Sequence, residues 1–310
     1  MTDVVIRTEG LVKDYGRVRA LAGVDLAVQR GEVFGFLGPN GAGKSTTIRL
    51  LLDLLRPTAG RVEVLGSPPA QGGAAQRARI GYLPGELALG GRRTAGALLA
   101  HLARLRGAAG SARIAPLAER FGLDLDRPIR NLSKGNKQKV GVVQAFMHDP
   151  ELLILDEPTS GLDPLLQHEF LDLVREARDG GATVFLSSHV LSEIEQVAGR
   201  VAIIRAGRIV DLDGVSSLRQ HAGQEIRLRF AEPVPVERFR DLPGVSQVAV
   251  TDSTLTCLLH GEPDALLKAA ATLRVLAWSA HDRELEDLFL DFYRMPVQDR
   301  AGEEVTVDGG

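Results

Sequence analysis

The sequence predicts an α/β fold built on a buried parallel sheet, followed by a smaller α+β module. Three observations predict it. Short, nearly continuous apolar runs recur at GEVFGFLG from Gly31, ELLILDE from Glu151 and TVFLSSH from Thr183, each ending in glycine or polar residues. Runs of that length, apolar on both faces, mark strands covered by helices on both sides. Between them lie helical patterns, KSTTIRLLLDLL from Lys44, GNKQKVGVVQAFM from Gly135 and PLLQHEFLDLVREAR from Pro164, so strands and helices alternate. After Gly214 the runs turn to strict strand-like alternation, which sets off the second module.

Composition bounds the reading. A chain of 310 residues is long enough for one large domain and a small appended one. With 44% hydrophobic and 25% charged residues, it has the make-up of an ordinary globular protein. A net charge of −3 supplies no basic field for holding phosphate backbones, so nucleic acid is not an expected partner. The single cysteine, Cys257, has nothing in the chain to pair with; it suits a reducing cytoplasm and reads as a small buried apolar residue. No apolar run approaches the roughly 20 residues a spanning helix needs. The opening MTDVVIRTEG carries Asp3 and Glu9 where a signal peptide would need a basic flank and a long apolar core, so export is not expected.

The elements follow in order. From Ala88 to Ala118 the chain is rich in Ala, Leu and Arg, as in TAGALLAHLARLRG from Thr94, and shows no strand pattern. It reads as a helical insertion, with Leu98, Leu102 and Leu105 on one face as core contacts. This places a helical subdomain at about 86–150 inside a first domain of residues 1–220. In the second module, QEIRLRF from Gln224, SQVAVT from Ser246 and TLTCLLH from Thr254 alternate like strands. VERFRDL from Val236 and PDALLKAAATL from Pro263 look helical, and RVLAWSA from Arg274 is a last strand. The resulting order βαββαβ over residues 221–296 allows a ferredoxin-like module. RELEDLFLDFYR from Arg283 puts Leu285, Leu288, Phe289 and Phe292 on one helical stripe, a docking face onto the module or a dimer mate. The acidic tail, residues 297–310, reads as disordered.

The strongest chemical signal is GPNGAGKST, that is Gly38, Pro39, Asn40, Gly41, Ala42, Gly43, Lys44, Ser45 and Thr46. It fits G-x-x-x-x-G-K-[ST] between a predicted strand and a predicted helix, where that motif must sit. Its glycines let the backbone wrap closely and aim N–H groups at phosphate oxygens, helped by the helix N-terminus. Lys44 would hold the β- and γ-phosphates, and Ser45 would ligate magnesium. A plain connecting turn would account for the glycines but not for a lysine and two hydroxyls at a helix start, where cations are disfavoured. Downstream, LLILDEP from Leu152 delivers two carboxylates at a strand end. Asp156 would hold Mg2+ through water, and Glu157 would orient and polarise the water that attacks the γ-phosphate.

A third string, NLSKGNKQK from Asn131, together with SGLD from Ser160 and the pair Ser188 and His189, makes the chain resemble the ABC ATPases, the ATP-binding subunits of ABC transporters. Their signature is usually spelled LSGGQ. The resemblance covers about the first 220 residues, with the motifs in the family's order. Ser133 and Gly135 stand at a predicted helix start and offer a hydroxyl and free N–H groups to an anion. Lys134, Lys137 and Lys139 crowd the same turns, against the helix dipole, a conflict that a nearby phosphate would resolve. The resemblance implies that this phosphate belongs to ATP held by a second copy or a homologous subunit. Leu132, Ser133, Lys134, Gly135 and Asn136 would then act in trans, and two protomers would sandwich ATP about a two-fold axis. It also implies that Tyr15, in KDYG from Lys13, stacks on adenine, such stacking being worth roughly 1 to 3 kcal/mol per base in nucleic-acid binders. His189 would contact the γ-phosphate and link it to the catalytic water. Asp163 would cross the dimer interface.

Three positions depart from the family's pattern. After Pro84, where the family has glutamine, stands Gly85, and Glu86 one residue later would replace it as a magnesium ligand by a small loop shift. Lys134 replaces a glycine and Asn136 the glutamine of the signature, while Ser133 and Gly135 persist. Glu157 and His189 are both intact, so hydrolysis is expected.

Other classes fit less well. A ribosome-acting ABC protein usually fuses two cassettes, and this chain has one. The chromosome-associated ATPases place a long coiled coil where this chain has a short insertion. A P-loop kinase or GTPase leaves the signature, Asp163 and His189 unexplained. The run DEPTSGLDP from Asp156 and the short C-terminal extension resemble the motor subunits of drug and antibiotic exporters with separately encoded permeases. The expectation is an ATPase on the cytoplasmic face of the membrane that powers export of a drug-like, antibiotic or lipid-like substrate through integral membrane permease subunits.

Overall fold

In a computed structural model, residues 3–106 and 111–282 are described, and the chain divides into two units between Leu218 and Arg219. The larger unit opens with β1 (Val4–Tyr15) and β2 (Val18–Gln29), an antiparallel hairpin. β3 (Val33–Leu37) runs into the glycine loop and α1 (Lys44–Leu51), and β4 (Ala59–Val64) returns to pair with β1. The result is a three-stranded sheet, β2-β1-β4, that sequence reading does not anticipate. Its register shifts between Thr8 and Leu11 and again between Lys13 and Asp14, so the period-two alternation that announces a strand is broken.

α2 (Pro69–Ala78), kinked at Gly73, leads into β5 (Ile80–Leu83). The expected helical insertion follows as α3 (Ala95–Leu105) and α4 (Ser111–Arg120), and then α5 (Lys134–Phe146). In α3 the buried stripe is Ala95, Leu99 and Ala103, not the leucine face expected from the sequence. Leu98 and Leu102 flank that stripe half-buried, and Leu105 is 71% exposed at the helix end. Alanine at i and i+8 lets the neighbouring helices approach closely, which a count of leucines alone overlooks.

β6 (Leu152–Asp156), α6 (Pro164–Asp179), β7 (Thr183–Ser188), α7 (Leu191–Val197), β8 (Arg200–Arg205), β9 (Arg208–Gly214) and α8 (Val215–Ala222) complete the order. The central sheet runs β5-β6-β7-β3-β8-β9, parallel except for β9 at its edge. Every residue of β3, β6 and β7 is buried, as apolar runs without alternation require. One core joins Ile6, Leu11 and Val24 of the antiparallel sheet to Phe34, Phe36 and Phe185 of the parallel one, with Ile48 and Leu51 of α1 among them. Each such side chain contributes about 1.5–3 kcal/mol by leaving water, so α1, which begins where the glycine loop ends, is clamped along its second half.

The second unit contains β10 (Gln224–Phe230), α9 (Glu237–Arg240), β11 (Val245–Thr251), β12 (Thr254–Leu259), α10 (Asp264–Ala271) and β13 (Val275–Asp282). Its sheet is antiparallel in the order β11-β12-β10-β13. Ile226 and Leu228 face Cys257 and Leu255 across the ladder, and with Phe230 they share a core with Phe239, Leu266 and Ala270 of the helices. Cys257 is buried, which pushes its thiol up to about 11. The stripe Leu285, Leu288, Phe289 and Phe292 and the tail 297–310 lie outside the described residues. Among the described residues, no helix is long and apolar enough to cross a membrane.

Candidate nucleotide site

Parallel pairing sets the site. Leu37 stands beside Ser188, and Asp156 beside Ser187, so β3, β6 and β7 end together. The loops that leave this carboxyl edge are the glycine loop, the segment from Glu157 and the segment from His189, and it is outside this edge that open α/β sheets bind ligands.

The glycine loop is pressed against backbone. A Cβ at Gly38 would lie 2.4 Å from the carbonyl of Ile204, and one at Gly43, whose φ is +113°, would lie 2.9 Å from that of Ala20. The β8–β9 turn staples the loop: Gly207 N–H donates to Ala42 O, and Ala22 N–H donates to Gly207 O, both at 2.9 Å. Asn40 and Gly41 stand exposed at the crest, Pro39, Ser45 and Thr46 are half-buried, and Ala42 is buried. Thr47, not Thr46, donates its hydroxyl to Gly43 O (3.0 Å) and so fixes the first helical turn.

Lys44 is only 5% exposed, with its ammonium donating to the carbonyls of Gly38 and Pro39. It also lies 3.1 Å from Glu157 Oε1, an ionic contact outside hydrogen-bond geometry. The other carboxylate oxygen, Oε2, accepts from His189 Nδ1 at 2.6 Å, which requires the proton on that nitrogen. Glu157 adopts φ +47°, a left-handed conformation that costs a non-glycine residue about 1–3 kcal/mol. Its N–H donates to Ser187 O (3.1 Å), and that bond holds the turn which aims the side chain back between Lys44 and His189. Asp156 is buried and accepts from the Ser187 hydroxyl at 2.6 Å.

A cavity of ≈ 520 Å³ opens here, lined by Asn40, Ser45, Asp156, Glu157 and His189 together with Tyr82, Glu86 and Lys134. Burial, and next the charge of Asp156, raise the Tyr82 phenol above its ordinary pKa. A Cβ at Gly85 would lie 3.3 Å from Asp156 O and 3.6 Å from its Oδ2, so a longer residue there would crowd the carboxylate, and Gly85 and Glu86 both line the cavity. The donor set suits magnesium: a hydroxyl and one or two carboxylates, with water and phosphate oxygens to complete the octahedron. Among the described residues, no group of three or more His, Cys, Asp or Glu is placed to hold a metal ion. Glu157 Oε1, buried with no hydrogen bond, is an acceptor in want of a donor.

The remaining predicted residues lie outside this cavity's lining. Tyr15, 44% exposed at the β1–β2 turn, sits under the Lys13 ammonium, 5.4 Å from its ring centre. Asp163 caps α6, its Oδ1 accepting from Leu166 N–H at 3.1 Å. Ser133 caps α5 in the same way, accepting from Asn136 N–H at 3.2 Å. Leu132 is buried, and a Cβ at Gly135 would lie 2.6 Å from Gly161 O, so the start of α5 packs on the SGLD loop. Sequence reasoning misses the groups behind the site. Gln138 Nε2 donates to Pro158 O (2.8 Å), and Glu193 accepts from the hydroxyls of Thr159 and Ser188. The one available signal is Glu193 four residues after His189, polar at a helix start.

Comparison with known proteins gives the geometry its family. Residues 21–160 match the family described as ABC transporter. The daunorubicin/doxorubicin resistance ATP-binding protein DrrA of Streptomyces peucetius is 35% identical over 97% of this chain and 96% of its own length. The linearmycin resistance ATP-binding protein LnrL of Bacillus subtilis (strain 168) is 31% identical over 95% of this chain and its whole length, 100%. A solved ATP-binding subunit of an ABC transporter superposes with a TM-score of 0.64 at 33% identity, over 70% of this chain and 92% of its own. A glycine-rich loop at the carboxyl edge of this sheet, and identity running through both units, make the chain a member of the ABC transporter ATP-binding proteins, an ATPase family.

Proposed function

We propose that this chain hydrolyses ATP to power export of a drug-like, antibiotic or lipid-like molecule through separate membrane permease subunits, at the cytoplasmic face of the membrane. The observation that carries the reading is the extent of the likeness. Two resistance ATP-binding proteins match 97% and 95% of this chain, second unit included.

In this reading the loop from Gly38 to Thr46 cradles the phosphates, and Tyr15 stacks on the adenine. Phosphate oxygens compete for Lys44 and draw it off Glu157. That carboxylate keeps its hold on His189, and its buried Oε1 becomes free to accept from the attacking water and take its proton. Ser45, and Asp156 through water, would hold Mg2+, which would supply charge neutralisation on the phosphate oxygens. Lys44 absorbs charge as it develops on the leaving phosphates. A second copy closes over the nucleotide with Leu132, Ser133, Lys134, Gly135 and Asn136, and Asp163 crosses the interface. Glu86 takes the place of the glutamine missing at Gly85 and meets the permease there. The βαββαβ order with β11-β12-β10-β13 pairing supports a ferredoxin-like reading of the second unit.

The test is an affinity pull-down of the Glu157→Gln chain with Mg-ATP from detergent-solubilised membranes, followed by mass spectrometry. A polytopic membrane protein is the expected companion. Ribosomal proteins alone, or a homodimer with no companion, would overturn the transport reading.

A further inference from the structure

Glu193, in the first turn of α7, has both carboxylate oxygens engaged by hydroxyls of different loops. Oε1 accepts from Thr159 Oγ1 at 2.6 Å, and Oε2 from Ser188 Oγ at 2.8 Å. Thr159 is 5% exposed and Ser188 fully buried, so neither hydroxyl can exchange its partner for bulk water. Ser188 Oγ in turn accepts from Val190 N–H at 2.9 Å, which pins the backbone on both sides of His189. On the other side, Thr159 follows Pro158, whose carbonyl accepts from Gln138 of the helix that begins at the signature.

We propose that Glu193 is a positioning residue that holds the loop after Glu157 and the loop of His189 in one geometry, and ties both to the signature helix. The inference rests on reading Glu157 and His189 as the hydrolytic pair. Those residues leave separate strands, and the ladder between the strands ends at Asp156 and Ser187. Past that point Glu157 N–H still reaches Ser187 O, and after it the Glu193 carboxylate is the next polar tie, apart from the contact of Glu157 with His189 itself. Charge-assisted O–H···O⁻ bonds are short and strong, and one anion that accepts two of them fixes the spacing of its donors. Loss of the anion leaves two buried O–H donors without their acceptor and lets His189 drift from Glu157. The phosphate cradle, which belongs to the glycine loop, is untouched.

Steady-state ATPase of the full chain, compared among wild type, Glu193→Ala, Thr159→Val, Thr159→Ser and the Glu193→Ala/Thr159→Val double variant, tests this. Thr159→Val keeps the shape and removes only the hydroxyl, so it stands if Glu193→Ala fails to fold. The expected kcat loss is about ten- to a hundredfold in Glu193→Ala and in Thr159→Val, with KM for ATP changed less than about twofold. Thr159→Ser restores kcat, and the double variant is no slower than Glu193→Ala alone. Wild-type kcat in Thr159→Val, a loss confined to KM, or multiplied losses in the double variant would overturn the proposal. A wild-type chain no faster than Glu157→Gln would instead remove the hydrolytic reading beneath it.

Discussion

At the carboxyl edge of the central sheet, Lys44, Glu157 and His189 compensate one another inside the chain, whereas at the start of α5, Lys134, Lys137 and Lys139 have no ion pair among the described residues. The first arrangement is partly buried and held from three strand ends. The second lies at a helix N-terminus, where the dipole opposes positive charge, and the hydroxyl of Ser133 is spent on its own helix. The contrast teaches which half of the site is complete in one chain. Buried charges must be paired where they stand, so the half at the sheet edge carries its own counter-ions. Charges set against a helix dipole gain from an anion brought by something else, which in the proposed reading is the nucleotide of a facing subunit.

The largest effect should come from the complete half. Glu157→Gln is expected to lower ATP turnover by about 10²–10⁴-fold while ATP still binds. Turnover assays beside equilibrium binding of a fluorescent nucleotide check this, and near-normal turnover would break the comparison by showing that the paired carboxylate is not the base. The far end of α5 provides an intermediate effect. His148, just past that helix, is kept neutral, its pKa lowered to about 4 by burial and by the neighbouring Arg106. An unfolded histidine titrates near 6.5, so between that pH and about 4 the unfolded state binds the extra proton. Stability should therefore fall as pH drops through this window and be unaffected above it. The loss attributable to His148 is ~2 kcal/mol once solvent screening of a half-buried ring is allowed for. Denaturant midpoints at pH 7 and 4.5 would show it, and His148→Gln should flatten the difference. The smallest effect belongs to Ser133→Ala, about 1 kcal/mol of stability through the lost cap, together with weaker Mg-ATP-driven dimerisation in light scattering. A stability loss with unchanged dimerisation would reduce Ser133 to its capping role.

Much of this was legible because its causes are local. A lysine and two hydroxyls after a glycine loop, and a carboxylate pair after an apolar strand, are short strings with one chemical sense each. In the second unit, QEIRLRF from Gln224 alternates so cleanly that Ile226, Leu228 and Phe230 are the residues buried. The hairpin of β1 and β2 was not legible, because its bulges break the alternation. Nor was the buried face of α3, because Ala95 and Ala103 carry little weight in a hydrophobic count yet are buried as fully as Leu99.

Sequence by itself therefore determined the α/β architecture, and it singled out the glycine loop and the carboxylates Asp156 and Glu157 at a strand end, since these follow from patterns only a few residues long. Folding decided everything that joins distant segments. It set the left-handed turn of Glu157 between Lys44 and His189, and it laid Gly135 against Gly161, where a Cβ would stand 2.6 Å from a carbonyl. It also brought Thr159 and Ser188 onto the one carboxylate of Glu193. Those contacts depend on strand order and on which backbone is pressed against which. Such distances come from packing the whole sheet, and no short stretch of residues contains them.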